Sequence, residues 1–301
     1  MKHFSFIFIV IFALEIVPQD GEIRNYYENK VLKEILNYSN SQLSGECYYY
    51  TKDGILSERK EFKNNILDGL SVSFYSSGVL KEKYRWAKGI LQGNYSRYYE
   101  SGILSEIGNY ENGLPDGEMK TLFESGKLRS KINLVLGKRE GVNYRYYENG
   151  NVEAESNFIN DVQQGTTKWF YEDGTLKGVY NYNSGHLDGE IKEFYASGEL
   201  EVIKIFEVGK RQGLFTYFYK NGKISKTENY INSWKEGKVR TYYENGVLWT
   251  EHNYVSDKIE GEARIYRDDS SLWYLEEFQK GTIIRSKEFD KNGNMIKEQK
   301  F

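Results

Sequence analysis

The sequence contains very little cysteine, histidine or proline. A single cysteine, Cys47, excludes an internal disulfide, and it is most simply a small buried hydrophobe. Three histidines that lie far apart do not supply the converging ligands of a usual zinc site, so no metal or other cofactor is predicted. The chain has only two prolines but 27 tyrosines and 16 phenylalanines. This composition is typical neither of a disordered nor of a helix-rich chain, and it favours β-strands.

The sequence also lacks an excess of charge of either sign. Its 41 basic residues oppose 44 acidic ones, so no strong field favours nucleic acid, and no nucleic-acid partner is expected. A catalytic triad has little support, because His186 falls in a predicted turn and His252 in a predicted strand far from it. We therefore predict no catalytic residue and a protein that is not an enzyme.

Long apolar runs are lacking except at the N-terminus. A short basic start precedes a nearly uninterrupted apolar run from Phe4 to Leu14, which is too short to span a membrane and matches the core of a secretory signal. We expect residues 1–20 to be a signal peptide that is removed, and the protein to be exported to the periplasm, the cell surface or the medium. An uncleaved anchor and a buried first strand are the alternatives.

Glycine recurs with a fixed period along the rest of the chain. The periodic glycines are Gly21, Gly45, Gly69, Gly93, Gly117, Gly141, Gly165, Gly189, Gly213, Gly237 and Gly261. This spacing indicates eleven copies of one 24-residue repeat, which together form one domain over residues 21–301. Positions within each repeat are numbered here from its glycine, which is position zero.

Each repeat carries the pattern of a β-hairpin. Position nine is glycine in nine of eleven repeats and follows Asn, Asp or Ser, as in Asn149-Gly150. Such dipeptides favour a two-residue type I′ turn, which would place position six opposite position eleven and position zero opposite position seventeen. The mostly aromatic positions six and seventeen and the aliphatic position eleven would then share one apolar face. Positions eighteen to twenty-three return the chain antiparallel.

These repeats predict an all-β fold, an elongated single-layer antiparallel sheet or open β-solenoid of eleven 24-residue β-hairpin repeats. Residues 286–301, where Asn292-Gly293 is one residue out of phase, would form a C-terminal capping hairpin. A single layer buries little, so its apolar face would be covered either by curling of the sheet or by a partner.

The opposite face is predicted to be wet and to bind a partner. Position five is aromatic in ten repeats, and lysine or arginine recurs at the neighbouring positions three and twelve. Rings interleaved with cations suit a peptide, a glycan or a lipid headgroup, whereas the plainer alternative is that the rings only pack across strands. The predicted binding stripe comprises Tyr98, Tyr146, Phe170, Phe194, Phe218, Tyr242, Lys120, Lys168, Lys192 and Arg240.

The repeat resembles that of a known family. The segment Gly93-Asn-Tyr-Ser-Arg-Tyr-Tyr-Glu-Ser-Gly-Ile-Leu104 and its continuation Tyr110-Glu-Asn-Gly-Leu-Pro-Asp-Gly117 resemble MORN repeats. They look more closely like the MORN-variant repeats of bacterial proteins labelled YwqK-family antitoxins. The resemblance covers about residues 21–301. It implies a non-catalytic scaffold that binds proteins or lipids, and the antitoxin label implies neutralisation of a partner.

Three functions follow as alternatives. The first is an exported scaffold for protein–protein interaction, whose partner is a protein that the sequence does not identify. The second is an antitoxin-like or immunity-like protein that neutralises a partner toxin. The third is a module that binds a membrane surface or a glycan.

Overall fold

The computed structural model describes residues 20–301, which are all-β. The predicted signal peptide, residues 1–20, lies outside the described residues except for Asp20. The chain divides into two compact units, of which the first ends at Leu114 and the second is Pro115–Phe301. Within each unit, antiparallel strands contact their neighbours in chain order and form a single layer. No helix in residues 20–301 is long and apolar enough to cross a membrane.

A typical repeat has a six-residue first strand, an eight-residue second strand and a two-residue third strand, which confirms the predicted hairpin repeats. In the first unit the strands are Gly21–Tyr26, Leu32–Ser39, Gln42–Leu43, Gly45–Tyr50, Leu56–Lys63, Ile66–Phe74, Leu80–Ala87, Ile90–Leu91, Gly93–Tyr98 and Leu104–Glu111. The short strand Leu114–Pro115 stands where the chain is divided.

The second unit continues the same series. Its first strands are Gly117–Leu122, Gly141–Tyr146, Gly165–Phe170, Gly189–Phe194, Gly213–Phe218, Gly237–Tyr242 and Gly261–Tyr266. Its second strands are Leu128–Val135, Val152–Ile159, Leu176–Asn183, Leu200–Glu207, Ile224–Ile231, Leu248–Val255 and Leu272–Gln279. Its third strands are Lys138–Arg139, Val162–Gln163, His186–Leu187, Lys210–Arg211, Trp234–Lys235 and Lys258–Ile259, and the chain finishes with Thr282–Phe289 and Met295–Lys300.

The hairpin turn is not the predicted type I′ turn. The Tyr147 N–H donates to the Asn151 carbonyl and the Gly150 N–H to the Tyr147 carbonyl, both at 2.9 Å, which closes a three-residue loop. Gly150 alone in this loop has a positive φ, 98°, whereas a type I′ turn needs two such residues. The turn is therefore a type I turn followed by one residue in the left-handed region, and the same two bonds close the turn in every repeat.

This longer turn changes the strand register only near the turn. Gly141 pairs with Phe158, so the predicted pairing of position zero with position seventeen is confirmed. A β-bulge beside Tyr146 then makes Tyr146, at position five, the partner of Val152 at position eleven. The predicted pairing of position six with position eleven is therefore wrong, and position six is free for another role.

The periodic glycine is required by its backbone conformation. Phe158 pairs with Gln163, and Glu155 pairs with Lys168. Three residues along the first strand therefore correspond to five along the second, and the two extra residues form a bulge that contains Gly165. The φ of Gly165 is +74°, and a Cβ there would come no closer than 3.9 Å to a residue that is not its chain neighbour. The left-handed conformation at the bulge explains the glycine.

Tyrosine hydroxyl groups at position six join successive repeats. Seven of them donate to the carbonyl at position five of the next repeat, at 2.6–3.0 Å. We name these residues the tyrosine ladder, which comprises Tyr27, Tyr75, Tyr147, Tyr171, Tyr195, Tyr219 and Tyr243. Arg267 takes the same role at the C-terminal end, where its Nη2 donates to the Phe289 carbonyl at 2.6 Å.

The predicted C-terminal hairpin is confirmed, and its phase shift has a structural cause. Thr282–Phe289 pairs with Met295–Lys300. Arg285 stands where the next periodic glycine would fall, and Phe278 pairs with Ile283 while Glu277 pairs with Arg285. This bulge therefore has one residue fewer than the glycine bulges, which moves the final turn one residue earlier.

Position two supplies the most deeply buried row of side chains. Among the described residues, those less than 9 % exposed at this position are Cys47, Ser71, Tyr95, Asn143, Thr167, Ile191, Phe215, Val239 and Ala263. Cys47 is fully buried, as the sequence predicted. The row lies on the same face as positions zero, four, thirteen, fifteen and seventeen, which we name the glycine-backed face.

Candidate functional site

The rings of the predicted binding stripe are part of the packing. Each of the six stripe rings is half-buried and pairs across the strands with an aliphatic residue, as Phe194 does with Leu200. Five of the six also accept a tyrosine-ladder bond through their carbonyls, namely Tyr98, Phe170, Phe194, Phe218 and Tyr242. This geometry favours the packing alternative, and binding by the stripe stays a prediction.

Three of the four stripe cations are neutralised by glutamates on their own face. Each pair has a nitrogen to oxygen distance of 2.7 Å: Lys120 with Glu118, Lys192 with Glu190, and Arg240 with Glu251. The Lys168 ammonium is exposed and has no partner among the described residues. Because exposed ion pairs are weak and screened by salt, this face carries mixed charge rather than a positive field.

The glycine-backed face of the first unit holds a packed tyrosine cluster. The ring centroids of Tyr84 and Tyr95 lie 5.7 Å apart and those of Tyr95 and Tyr110 lie 4.9 Å apart. The Tyr95 hydroxyl donates to Glu106 at 2.8 Å, and Arg97 bonds both Tyr84 and Glu106. Burial, followed by the hydrogen bond to Glu106, raises the pKa of Tyr95. Since these polar groups are already paired with one another, the cluster is structural.

A buried carboxylate in the second unit is held by ion pairs at one oxygen and by hydrogen bonds at the other. Glu228 is 2 % exposed and lies 2.6 Å from the Lys226 ammonium and 2.9 Å from that of Lys235. The hydroxyls of Tyr217 and Tyr230 donate to its other oxygen at 3.1 and 2.9 Å. Burial opposes ionisation, but bonds from Lys226, Lys235 and Tyr230 outweigh it and lower the pKa of Glu228 to about 2. The group is a neutralised anchor rather than a general base.

The described part of the chain brings no metal-binding cluster together. In residues 20–301, no three His, Cys, Asp or Glu side chains are placed to hold an ion. His252 packs edge-on against Phe278, with ring centroids 6.3 Å apart, and burial lowers its pKa.

A cavity of about 220 Å³ opens on the glycine-backed face of the second unit. We name it the Trp169 pocket, and it is lined by Ile132, Arg139, Asn143, Tyr144, Arg145, Ala154, Ser156, Phe158, Gln163 and Trp169. It forms because Ala154 and Ser156 are both small at positions thirteen and fifteen. The repeats on either side carry Ile132 and Tyr180 at position fifteen. Ser156 therefore leaves a hollow between these larger neighbours, and position thirteen does not fill it, since Ser130, Ala154 and Gly178 are all small.

One buried polar group in this pocket lacks a partner. Asn143 is 7 % exposed and lies directly across the strands from Ser156. Its Oδ1 accepts the Asn133 N–H at 2.7 Å, which fixes the orientation of the amide, and its Nδ2 bonds to nothing in the described structure. A buried donor left without an acceptor costs about 1–3 kcal/mol. A ligand oxygen at this point would remove that cost.

The pocket also has aromatic walls and balanced charge. Both of its arginines lie over rings and bind carboxylates. The Arg145 Cζ is 5.6 Å from the Trp169 ring with Glu153 at 2.9 Å, and the Arg139 Cζ is 4.0 Å from the Phe158 ring with Asp161 at 3.0 Å. Hydrogen bonds from Arg139 lower the pKa of Asp161. The pocket therefore suits a neutral, partly apolar group that carries an acceptor.

A larger cleft adjoins the Trp169 pocket towards the hairpin turns. It has a volume of about 640 Å³ and shares Ile132 and Arg145 with the pocket. Glu148 and Glu172 line it, and neither carboxylate is paired with another described side chain. We name it the acidic cleft. An apolar pocket with a free donor thus continues into a cleft with two free carboxylates.

The sequence-based stripe and this site share almost nothing. Of the ten stripe residues only Tyr146 lines either cavity, in the acidic cleft. Asn143, Ala154 and Ser156 were missed because each is an ordinary residue at a variable position. The available signal was two small residues in one repeat beside Trp169 in the next.

Comparison with known proteins supports the repeat architecture. A family model described as "MORN repeat variant" matches residues 19–40, 91–112, 115–135, 139–160, 163–184, 187–207, 211–232 and 235–256. No curated protein matches the chain. The solved structure "Crystal Structure of TcdB2-TccC3-Cdc42" is similar at 11 % identity over 93 % of this chain, with a TM-score of 0.19. The match spans only 18 % of that chain, and so low a score does not establish a shared fold.

Proposed function

Because the chain belongs to the family of MORN repeat variant proteins, we propose that it is an exported, non-catalytic scaffold that binds a partner protein through its glycine-backed face. The observation that carries this proposal is the Trp169 pocket, whose buried Asn143 donor has no hydrogen-bond partner in the described structure. A buried donor left open in the wall of a cavity favours an external ligand.

The inter-repeat bonds support a scaffold. The tyrosine ladder and backbone pairing fix each repeat against the next within its unit, so the surface is formed before a partner arrives. A preformed surface avoids the ordering cost of binding. Export is supported by the signal-like start of the sequence and is part of the same proposal.

Capture from the native organism tests this function. The exported protein is fractionated, its N-terminus is sequenced, and partners are cross-linked and identified. We expect the protein outside the cytoplasm without its first residues, and one reproducible partner. Charge reversal of Lys120, Lys168 and Lys192 together should leave capture intact. Loss of capture on that reversal would assign binding to the predicted stripe, and absence of any partner would contradict the scaffold.

The same experiment separates the two other functions named from the sequence. If the captured partner is a toxin whose activity disappears on co-expression, the scaffold is an antitoxin-like or immunity-like protein. Sedimentation with liposomes or retention on a glycan array, without a protein partner, would instead assign it to membrane or glycan binding.

A further inference from the structure

We propose that the Trp169 pocket and the acidic cleft together recognise an extended segment of a partner protein in which an apolar side chain lies next to a basic one. This inference rests on the proposed function and adds the chemistry of the partner. The apolar side chain enters the pocket, a carbonyl oxygen of the segment accepts from the Asn143 amide, and the basic side chain pairs with Glu148 and Glu172.

The pocket sets the requirement for an apolar group with an acceptor beside it. Ile132, Ala154, Phe158 and Trp169 form walls that gain from excluding water. The free donor is Asn143, since its oxygen is already committed to Asn133. Every residue of an extended polypeptide presents a carbonyl next to its side chain, so a peptide segment meets both requirements at one point.

The acidic cleft sets the requirement for a cation. Glu153 is bound to Arg145, which leaves Glu148 and Glu172 as the carboxylates without a partner in the described structure. Arg129 in the same cleft lies over the Phe123 ring, 5.8 Å from its centroid, and has no carboxylate partner among the described residues, so the charged groups that line the cleft sum to one negative charge. Because the cleft and the pocket share Ile132 and Arg145, neighbouring residues of one segment reach both. A charge match of this kind mainly sets specificity.

Three blocked probes test the proposal on the chain without its predicted signal peptide, residues 21–301. They are acetyl-lysyl-phenylalanyl-lysinamide, the analogue with glutamate in place of both lysines, and acetyl-phenylalaninamide alone. Binding is read from the Trp169 indole N–H resonance, which is assigned with Trp169→Phe. We expect the basic peptide to bind about tenfold more tightly than the acidic one and than the single blocked residue. Equal binding of all three would overturn the proposal in favour of a small-molecule site.

Two variants test the pocket. Ser156→Ile fills the pocket with the residue found at position fifteen of the preceding repeat and should abolish the shift. Asn143→Asp keeps the acceptor for Asn133 but removes the donor, and should weaken binding of the single blocked residue about tenfold. Unchanged binding in Ser156→Ile, or in Asn143→Asp at a pH that ionises the aspartate, would refute the pocket assignment.

A matched pair of variants tests the cleft. Glu148 and Glu172 both occupy position seven, as Glu244 does three and four repeats away. Glu148→Gln with Glu172→Gln should cost the basic peptide about fivefold in affinity, whereas Glu244→Gln should cost nothing. Equal effects of the two would overturn the cleft assignment. If a partner is captured but Ser156→Ile leaves capture intact, this inference fails while the proposed function stands.

Discussion

The tyrosine ladder offers the sharpest test of what joins the repeats. In the second unit, two adjacent tyrosines differ in one respect. The Tyr243 hydroxyl donates to the Tyr266 carbonyl of the next repeat at 3.0 Å, whereas the Tyr242 hydroxyl bonds to no described residue. Tyr243→Phe therefore removes one inter-repeat bond and leaves the ring in place. Tyr242→Phe removes a hydroxyl of the same kind that bonds to no other residue.

The expected magnitude follows from the bond. A neutral hydroxyl-to-carbonyl bond contributes about 0.5–1.5 kcal/mol net, so Tyr243→Phe should lower the free energy of unfolding by about 1 kcal/mol. With a urea slope of about 2 kcal/mol/M, the midpoint falls by about 0.5 M. Tyr242→Phe should leave the midpoint unchanged. Urea unfolding followed by fluorescence measures both, and equal midpoints for the two variants would refute a stabilising role for the ladder.

The ladder can also be extended where it is interrupted. Position six of the fifth repeat is Phe123, whose ring lacks a hydroxyl, although the carbonyl of Tyr146 stands at the matching point of the next repeat. Phe123→Tyr should therefore raise the free energy of unfolding by about 0.5–1 kcal/mol, since it adds a bond to an existing frame. A lower urea midpoint would show that this position cannot direct a hydroxyl along the ladder.

Three further results are expected. The pKa of Glu228 is about 2 in the folded chain instead of 4.5, so its ionised form adds roughly 3 kcal/mol to the free energy of unfolding above pH 4.5, and this contribution is lost as the pH falls from 4.5 towards 2. Glu228→Gln should therefore flatten that part of an acid-unfolding curve, whereas Glu244→Gln should not. Gly237, with φ +81° and no atom near a Cβ, should tolerate Asn better than Ala and Ala better than Val, and a different order of melting temperatures would contradict a backbone cause. Burial raises the pKa of the Cys47 thiol, so a thiol reagent should label the unchanged protein slowly. Tyr27→Phe removes a ladder bond and should make labelling about fivefold faster, and an unchanged rate would show that the ladder does not limit local opening.

The repeat architecture was predictable because the residues that determine it occupy the same positions in every repeat. The periodic glycine, the glycine at position nine and the aliphatic position eleven gave the hairpins and the pairing of position zero with position seventeen. The turn type was not predictable from the same residues. A glycine after Asn or Asp satisfies both a type I′ turn and the left-handed residue that follows a type I turn, and only the hydrogen bonds of Tyr147 distinguish them. The one-residue difference moved position six out of the apolar face and into the ladder.

The candidate site could not be predicted from the periodicity of the sequence, for a physical reason. Periodic residues are those that every repeat needs in order to pair its strands, form its turn and bond to the next repeat. Positions two, thirteen and fifteen vary freely because the glycine-backed face accepts Cys47, Asn143 or Phe215 in the same row, provided that the volumes around them adjust. A pocket appears only where that adjustment is incomplete, as it is at Ala154 and Ser156. In a repeat protein the recurring residues therefore specify the frame, and a ligand is to be sought where a repeat departs from its neighbours.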